Sequence, residues 1–126
     1  MEFWFSEHHT ENVKFSVKVD KHLYTNETDL GRVDIFESLE FGKFLAVDGY
    51  IIFTERDEFI YDEMLSHVPM AVHPNPKSVL IFGSGDGGVV EELLKYKSLE
   101  HIDLVEVNDG VVEACRKFFP ETASSL

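Results

Sequence analysis

The sequence predicts an α/β protein, in which a small N-terminal antiparallel β domain precedes the first half of a Rossmann-like parallel sheet. Three observations predict it. Val13, Phe15, Val17 and Val19 alternate with Lys14, Ser16, Lys18 and Asp20, the period-two pattern of a half-buried strand. Phe44-Leu45-Ala46-Val47 and Tyr50-Ile51-Ile52-Phe53 flank Asp48-Gly49, a two-residue hairpin turn. The apolar run Ser78-Val79-Leu80-Ile81-Phe82 enters the loop Gly83-Ser84-Gly85-Asp86-Gly87-Gly88, and a helical pattern leaves it.

Residues 1 to about 54 read as strands, with Val33-Asp34-Ile35-Phe36 as a further segment, all in one small antiparallel sheet. Thr54 offers an N-cap, with Asp57 three residues on. The helix that follows, from about Asp57 to Val68, is expected to bury Ile60, Met64 and Val68, with Phe59 and Tyr61 flanking that stripe. Pro69 lies near its end, and Pro74-Asn75-Pro76 is a rigid connector. Strand 78–82 is apolar throughout, as a central strand covered on both faces would be. A helix over 89–96, a strand over 101–106 and a helix over 110–118 come next. Pro120 is expected to stop the last helix, leaving Thr122-Ala123-Ser124-Ser125 as a polar tail. The expected domains are 1–54, a linking segment 55–76, and a partial nucleoside-binding domain over 77–126.

Composition sets bounds. The chain has 126 residues, 44% of them hydrophobic, with eleven Phe, which is ample core material for one ordinary domain or two very small ones. A net charge of −13 with no basic stripe argues against nucleic-acid binding and is compatible with a cationic ligand. The single Cys115 falls in an amphipathic segment, so its default role is a buried thiol. The N-terminus has no signal-peptide pattern and no apolar run is long enough to span a membrane, so a cytoplasmic setting is expected. His8-His9 has no partner at ligand spacing, and no metal site is assigned.

The loop carries the chemistry. Gly83 permits a tight turn and Gly85 lets backbone approach a ligand. Eighteen residues after Gly88, Glu106 ends the second strand, where a carboxylate can accept from ribose hydroxyls. Asp86 sits where a dinucleotide would put its pyrophosphate. A carboxylate there repels phosphate and suits a sulfonium or an ammonium, which favours an adenosyl-sulfonium ligand. Each residue also has a plainer reading: Asp86 as a cap for the next helix, Glu106 as a solvated strand end, Tyr61 as a packing residue.

Taken together, Trp4-Phe5-Ser6-Glu7, Val47-Asp48-Gly49, Thr54-Glu55-Arg56-Asp57-Glu58-Phe59, Tyr61, Glu63-Met64, His73-Pro74-Asn75-Pro76 and the glycine loop resemble the spermidine synthase family of polyamine aminopropyltransferases. The loop alone is shared with AdoMet-dependent methyltransferases; the segment from Thr54 to Met64 is far more particular. The resemblance implies a homo-oligomer, dimer or tetramer, that moves an aminopropyl group from decarboxylated S-adenosylmethionine to putrescine. The products would be spermidine and methylthioadenosine, with no metal or redox cofactor. It implies that Asp86 binds the donor's ammonium, Glu106 the ribose, and Gly83 and Gly85 the nucleoside. Tyr61 would orient the reacting groups, Asp62 would lie at the substrate, and Trp4 would line the acceptor pocket.

The sequence departs from the family at several positions. Gly31 stands where a nucleoside-binding Gln is usual, Asp62 where a His or Gln follows the Tyr, and Asn108 in place of an Asp. Ser84 replaces a Gly or Ala, and Glu91 stands where an Arg is common. Loss of the Gln contact would cost about 0.5–1.5 kcal/mol. The family's general-base Asp, in an Asp-Ser-Ser/Thr-Asp motif, is absent from these residues, so the 126-residue chain is expected to be incomplete for catalysis. Two alternatives stand beside this reading. One is a non-catalytic paralogue or regulatory, oligomerising fragment; the other is a methyltransferase-like binder.

Overall fold

The computed structural model describes all of residues 1–126. It comprises two units, Met1–Asp57 and Glu58–Leu126.

In the first unit, β1 (Phe3–Thr10) and β2 (Val13–Val19) form a two-stranded antiparallel hairpin. A separate four-stranded antiparallel meander holds β3 (Lys21–Thr28), β4 (Gly31–Ser38), β5 (Gly42–Val47) and β6 (Tyr50–Thr54) in chain order. The single sheet expected from the sequence is therefore two. Alternation marks a strand but not its partner, and here the hairpin lays Phe5, Val17 and Val19 on Phe36 and Phe44 of the meander. The Phe5 ring centroid lies 5.1 Å from Phe36 and 5.6 Å from Phe44, within the range of favourable aromatic pairs. Only the Val17 and Val19 half of β2 is buried; Val13 and Phe15, nearer the hairpin turn, are exposed.

Asp48 and Gly49 form the β5–β6 turn, with φ of 51° and 83°, the left-handed pair such a turn demands. Asp48 also explains a departure noted above. Its carboxylate accepts from the Arg32 N–H at 2.8 Å and stands 2.8 Å from where a Cβ on Gly31 would be. With φ of 125° as well, a side chain at position 31 would be strained and would have to displace the Asp48 carboxylate.

In the second unit, α1 (Glu58–Val72) precedes β7 (Ser78–Phe82), α2 (Gly88–Leu93), β8 (His101–Val105), α3 (Asp109–Phe118) and a short α4 (Pro120–Ala123). β7 and β8 pair in parallel, in register from Ser78↔His101 to Phe82↔Val105. Met70, Ile81, Val89, Val90 and Leu93 form the core, with Val79, Ile102 and Leu104 against it. The antiparallel β unit and the parallel sheet with its helices, both expected from the sequence, are thus present.

Three local expectations fail. The buried row of α1 is Asp62, Ser66 and Met70, whereas Ile60, Met64 and Val68 are about half exposed. That row, spaced i, i+4, i+8, faces the start of α2, where Ser66 Oγ lies 3.5 Å from the Val89 carbonyl oxygen. Small and polar side chains allow the close approach, and counting apolar residues points to the wrong row. The helix also runs through Pro69 to Val72, with the His73 N–H donating to the Pro69 carbonyl at 3.0 Å. Second, β7 is covered on one face only. Ile81 is buried, while Leu80 and Phe82, on the opposite face, are exposed. Third, Pro120 starts a new turn instead of leaving a free tail. The first turn of a helix tolerates the missing proline N–H, and Thr122 and Ala123 in that turn are buried.

Candidate functional site

The loop between β7 and α2 is held from three sides. From α1, the Asp62 carboxylate lies against Gly88, in the space a side chain there would need. From the end of β8, Glu106 reaches under the loop: Gly85 N–H donates to its Oε2 at 3.2 Å, and Asn108 N–H to its Oε1 at 3.0 Å. A Cβ on Gly85 would come within 2.9 Å of Glu106 Cγ, so only glycine lets the backbone rest on that carboxylate. From just beyond α4, Ser125 Oγ donates to the Gly87 carbonyl at 2.7 Å.

Asp86 is buried inside this frame. Its carboxylate accepts from Ser84 Oγ at 3.3 Å and from Gly88 N–H at 3.2 Å. Asp86 therefore does make the helix-start contact of its plainer reading, and it does so as part of a carboxylate group. Asp86, Asp62 and Glu58 each place a carboxylate oxygen within 4.8 Å of the other two. Such a trio can hold a cation. Burial first, then the charges of Asp86, Glu58, Glu92 and Glu91, push the Asp62 carboxyl up to about 7. Cys115, fully buried in α3, is likewise pushed up by burial and by Asp86, Glu58 and Glu106, so its thiol is inert.

The structure thus gathers Gly83, Gly85, Asp86, Asp62 and Glu106 around one loop. Tyr61 neighbours Asp62 on α1 but points its ring outward, 60% exposed. Trp4 stands in the first unit, on β1, with its indole N–H donating to Glu2 at 3.2 Å. Glu58 and Thr122 were not singled out from the sequence. Glu58 was detectable, since it precedes Asp62 by four residues and shares its helix face. Thr122 Oγ1 donates to Glu58 Oε1 at 3.0 Å, across a sequence distance that no local pattern reveals. Asn108 is the N-cap of α3, accepting from Gly110 N–H at 3.1 Å. Asn and Asp are equally good caps, so this departure preserves the local structure.

Comparison with known proteins decides what this frame is. Residues 58–126 match the spermine/spermidine synthase domain, and residues 3–55 the spermidine synthase tetramerisation domain. The chain belongs to the spermine/spermidine synthase family. Polyamine aminopropyltransferases of Agathobacter rectalis and Lachnospira eligens are 56% and 57% identical over all 126 residues. This synthase-family chain spans 44% of the length of each of those relatives. Among solved structures, spermidine synthase from Thermotoga maritima superposes with a TM-score of 0.91 at 46% identity, covering 97% of this chain and 43% of that one. A spermidine synthase in complex with the transition-state analogue AdoDATO matches with the same TM-score.

Proposed function

We propose that this chain carries the donor-binding part of a polyamine aminopropyltransferase acting on decarboxylated S-adenosylmethionine and putrescine in the cytoplasm, within a homo-oligomer. The observation that carries the reading is the loop frame itself: a buried Asp86 beside Asp62 and Glu58, with Glu106 beneath Gly85. An acidic, partly dry site suits an ammonium or sulfonium and disfavours phosphate or a substrate carboxylate. In this reading Asp86 and Asp62 hold the donor's ammonium. Glu106 takes a ribose hydroxyl, since each of its oxygens keeps a lone-pair position beyond its backbone contact. Gly83 and Gly85 leave room for the nucleoside. Tyr61 orients the reacting chain. The contribution to the reaction is positioning: the carbon next to the sulfonium is held for in-line attack by an amine. No metal or redox cofactor is assigned a role.

The test is thermal stabilisation of the 126-residue chain by methylthioadenosine, with S-adenosylmethionine and NAD as comparators. A selective rise with methylthioadenosine is expected, equivalent to about 2.7 kcal/mol at a hundred times its Kd. Equal shifts with all three ligands, or a larger one with NAD, would sink the reading. Turnover by the 126 residues alone is expected to be absent, because the general-base motif is not among them; normal rates would overturn that part.

A further inference from the structure

We propose that His67 is a positioning residue: Tyr96 and Glu92 grip its ring from two sides, and that grip fixes α1 along α2 so that Asp62 stays against the glycine loop. The inference goes beyond the donor-site reading to a residue outside the loop frame, and its effect on binding rests on that reading.

The ring bridges two elements. His67 lies on α1 beside the buried Ser66, with its Nε2 2.8 Å from Glu92 Oε2 and its Nδ1 2.7 Å from the Tyr96 hydroxyl. Glu92 belongs to α2, and Tyr96 stands just beyond its end. Lys95 Nζ donates to both Glu92 oxygens at 2.8 Å. The hydrogen bond from Lys95 first, and then that from His67, hold the Glu92 carboxyl below its usual range against the opposing effect of burial. An ionised carboxylate only accepts, so His67 Nε2 carries a proton. In the neutral ring Nδ1 then accepts from the Tyr96 O–H. A single tautomer satisfies both neighbours, and hydroxyl, ring and carboxylate form one directional chain.

The loop end of the same helix contact lacks such bonds. There Asp62 packs against Gly88, with the carboxylates of Asp86 and Glu58 close by. Like charges at that distance push α1 away from the loop. Ser66 Oγ reaches the Val89 carbonyl only at 3.5 Å, a weak contact. Met70 packs with Val89, Val90 and Leu93, but apolar attraction has no direction of its own. A slide of α1 by one residue is about 1.5 Å, enough to break both His67 bonds. The grip on His67 therefore opposes the slide that repulsion at Asp62 favours.

Calorimetric binding of decarboxylated S-adenosylmethionine and of methylthioadenosine, which lacks the ammonium, to the 126-residue chain tests this. His67→Ala is expected to weaken the first by about tenfold or more and the second by less than about threefold. Tyr96→Phe, a milder change, should act severalfold in the same direction. His67→Gln, whose amide N–H can still donate to Glu92, should recover most of the loss. In an Asp62→Asn background, His67→Ala should cost less than about twofold more, because the group it positions is gone. Additive losses overturn the proposal, and so does an equal loss of both nucleosides in His67→Ala. Nitrogen-15 spectra of the parent at pH 8 should show a bare Nδ1 and a protonated Nε2 on His67; the opposite tautomer also overturns it. The last readout needs no ligand. Asp62→Asn should shift the Gly88 amide signal in the parent, and that shift should shrink severalfold in the His67→Ala chain. A shift of the same size in both chains sinks the proposal. Failure of both nucleosides to bind the parent sinks the donor-site reading alone, and the Gly88 signal then tests the grip by itself.

Discussion

The Asp62 carboxylate occupies the space that a Cβ on Gly88 would fill. α1 and α2 meet at that point, and the absence of a side chain on Gly88 lets a buried acid sit beside the glycine loop. Gly88 opens α2 without a left-handed backbone, so the obstacle to a larger residue is Asp62 and nothing else in the dihedrals.

Gly88→Ala should therefore destabilise the second unit by about 1–3 kcal/mol, even though alanine is the better helix former. Asp62→Ala should relieve much of that cost when combined with it. Urea unfolding of the four chains gives the coupling, expected at about 1 kcal/mol or more. Simple additivity would show that the two residues do not compete for one space.

The raised carboxyl of Asp62 makes a prediction about pH. Its folded value, about 7, lies above that of the unfolded chain, so the native state binds the extra proton. The stability this proton supplies is fully present below about pH 4, is lost as pH rises toward 7, and changes little above. Asp62→Asn lacks the term. The advantage of the variant over the parent should grow between pH 5 and 7 with a slope approaching about 1.4 kcal/mol per unit. Parallel stability curves for the two chains would mean that Asp62 ionises normally.

Glu106 holds two backbone N–H groups with two carboxylate oxygens. A Gln offers one acceptor oxygen, so Glu106→Gln should leave either Gly85 N–H or Asn108 N–H unpaired. The expected cost is about 1–3 kcal/mol of stability, with at least tenfold weaker methylthioadenosine binding. Equilibrium binding beside chemical denaturation separates the two effects. Unchanged affinity in a destabilised chain would reduce Glu106 to a structural brace.

The sequence was informative wherever a feature is local. Asp48-Gly49, the run from Val79 to Phe82 and the glycine loop each declare their conformation within a few residues, and each is where it was expected. Arrangements set by distant parts of the chain were not legible. The buried face of α1 is decided by what Gly88 and Val89 leave open, and the apolar Ile60, Met64 and Val68 pointed the other way. The separation of the β1–β2 hairpin from the meander depends on aromatic packing of Phe5 with Phe36 and Phe44, which alternation does not encode. Within the candidate site, Asp86 and Glu106 stood out by spacing from the glycines. Asp62 was noticed as a departure from a family, but its burial beside Gly88 needed the fold.

The anchoring of α4 on the loop yields a last prediction. Ser125 Oγ lies 2.7 Å from the Gly87 carbonyl and 3.0 Å from the Thr122 carbonyl, and its single proton is shared between them. A Cβ on Gly87 would sit 2.7 Å from the Thr122 carbonyl oxygen, so the two segments are in direct contact. Ser125→Ala removes the hydroxyl without changing the helix, at an expected cost of about 0.5–1.5 kcal/mol. If α4 braces the loop, amide exchange at Gly87 and Gly88 should quicken more than at β7 or β8, and methylthioadenosine affinity should fall severalfold. Faster exchange across the whole second unit would mean a loss of global stability. Unchanged exchange at the loop would show that the contact holds α4 in place without stiffening the site.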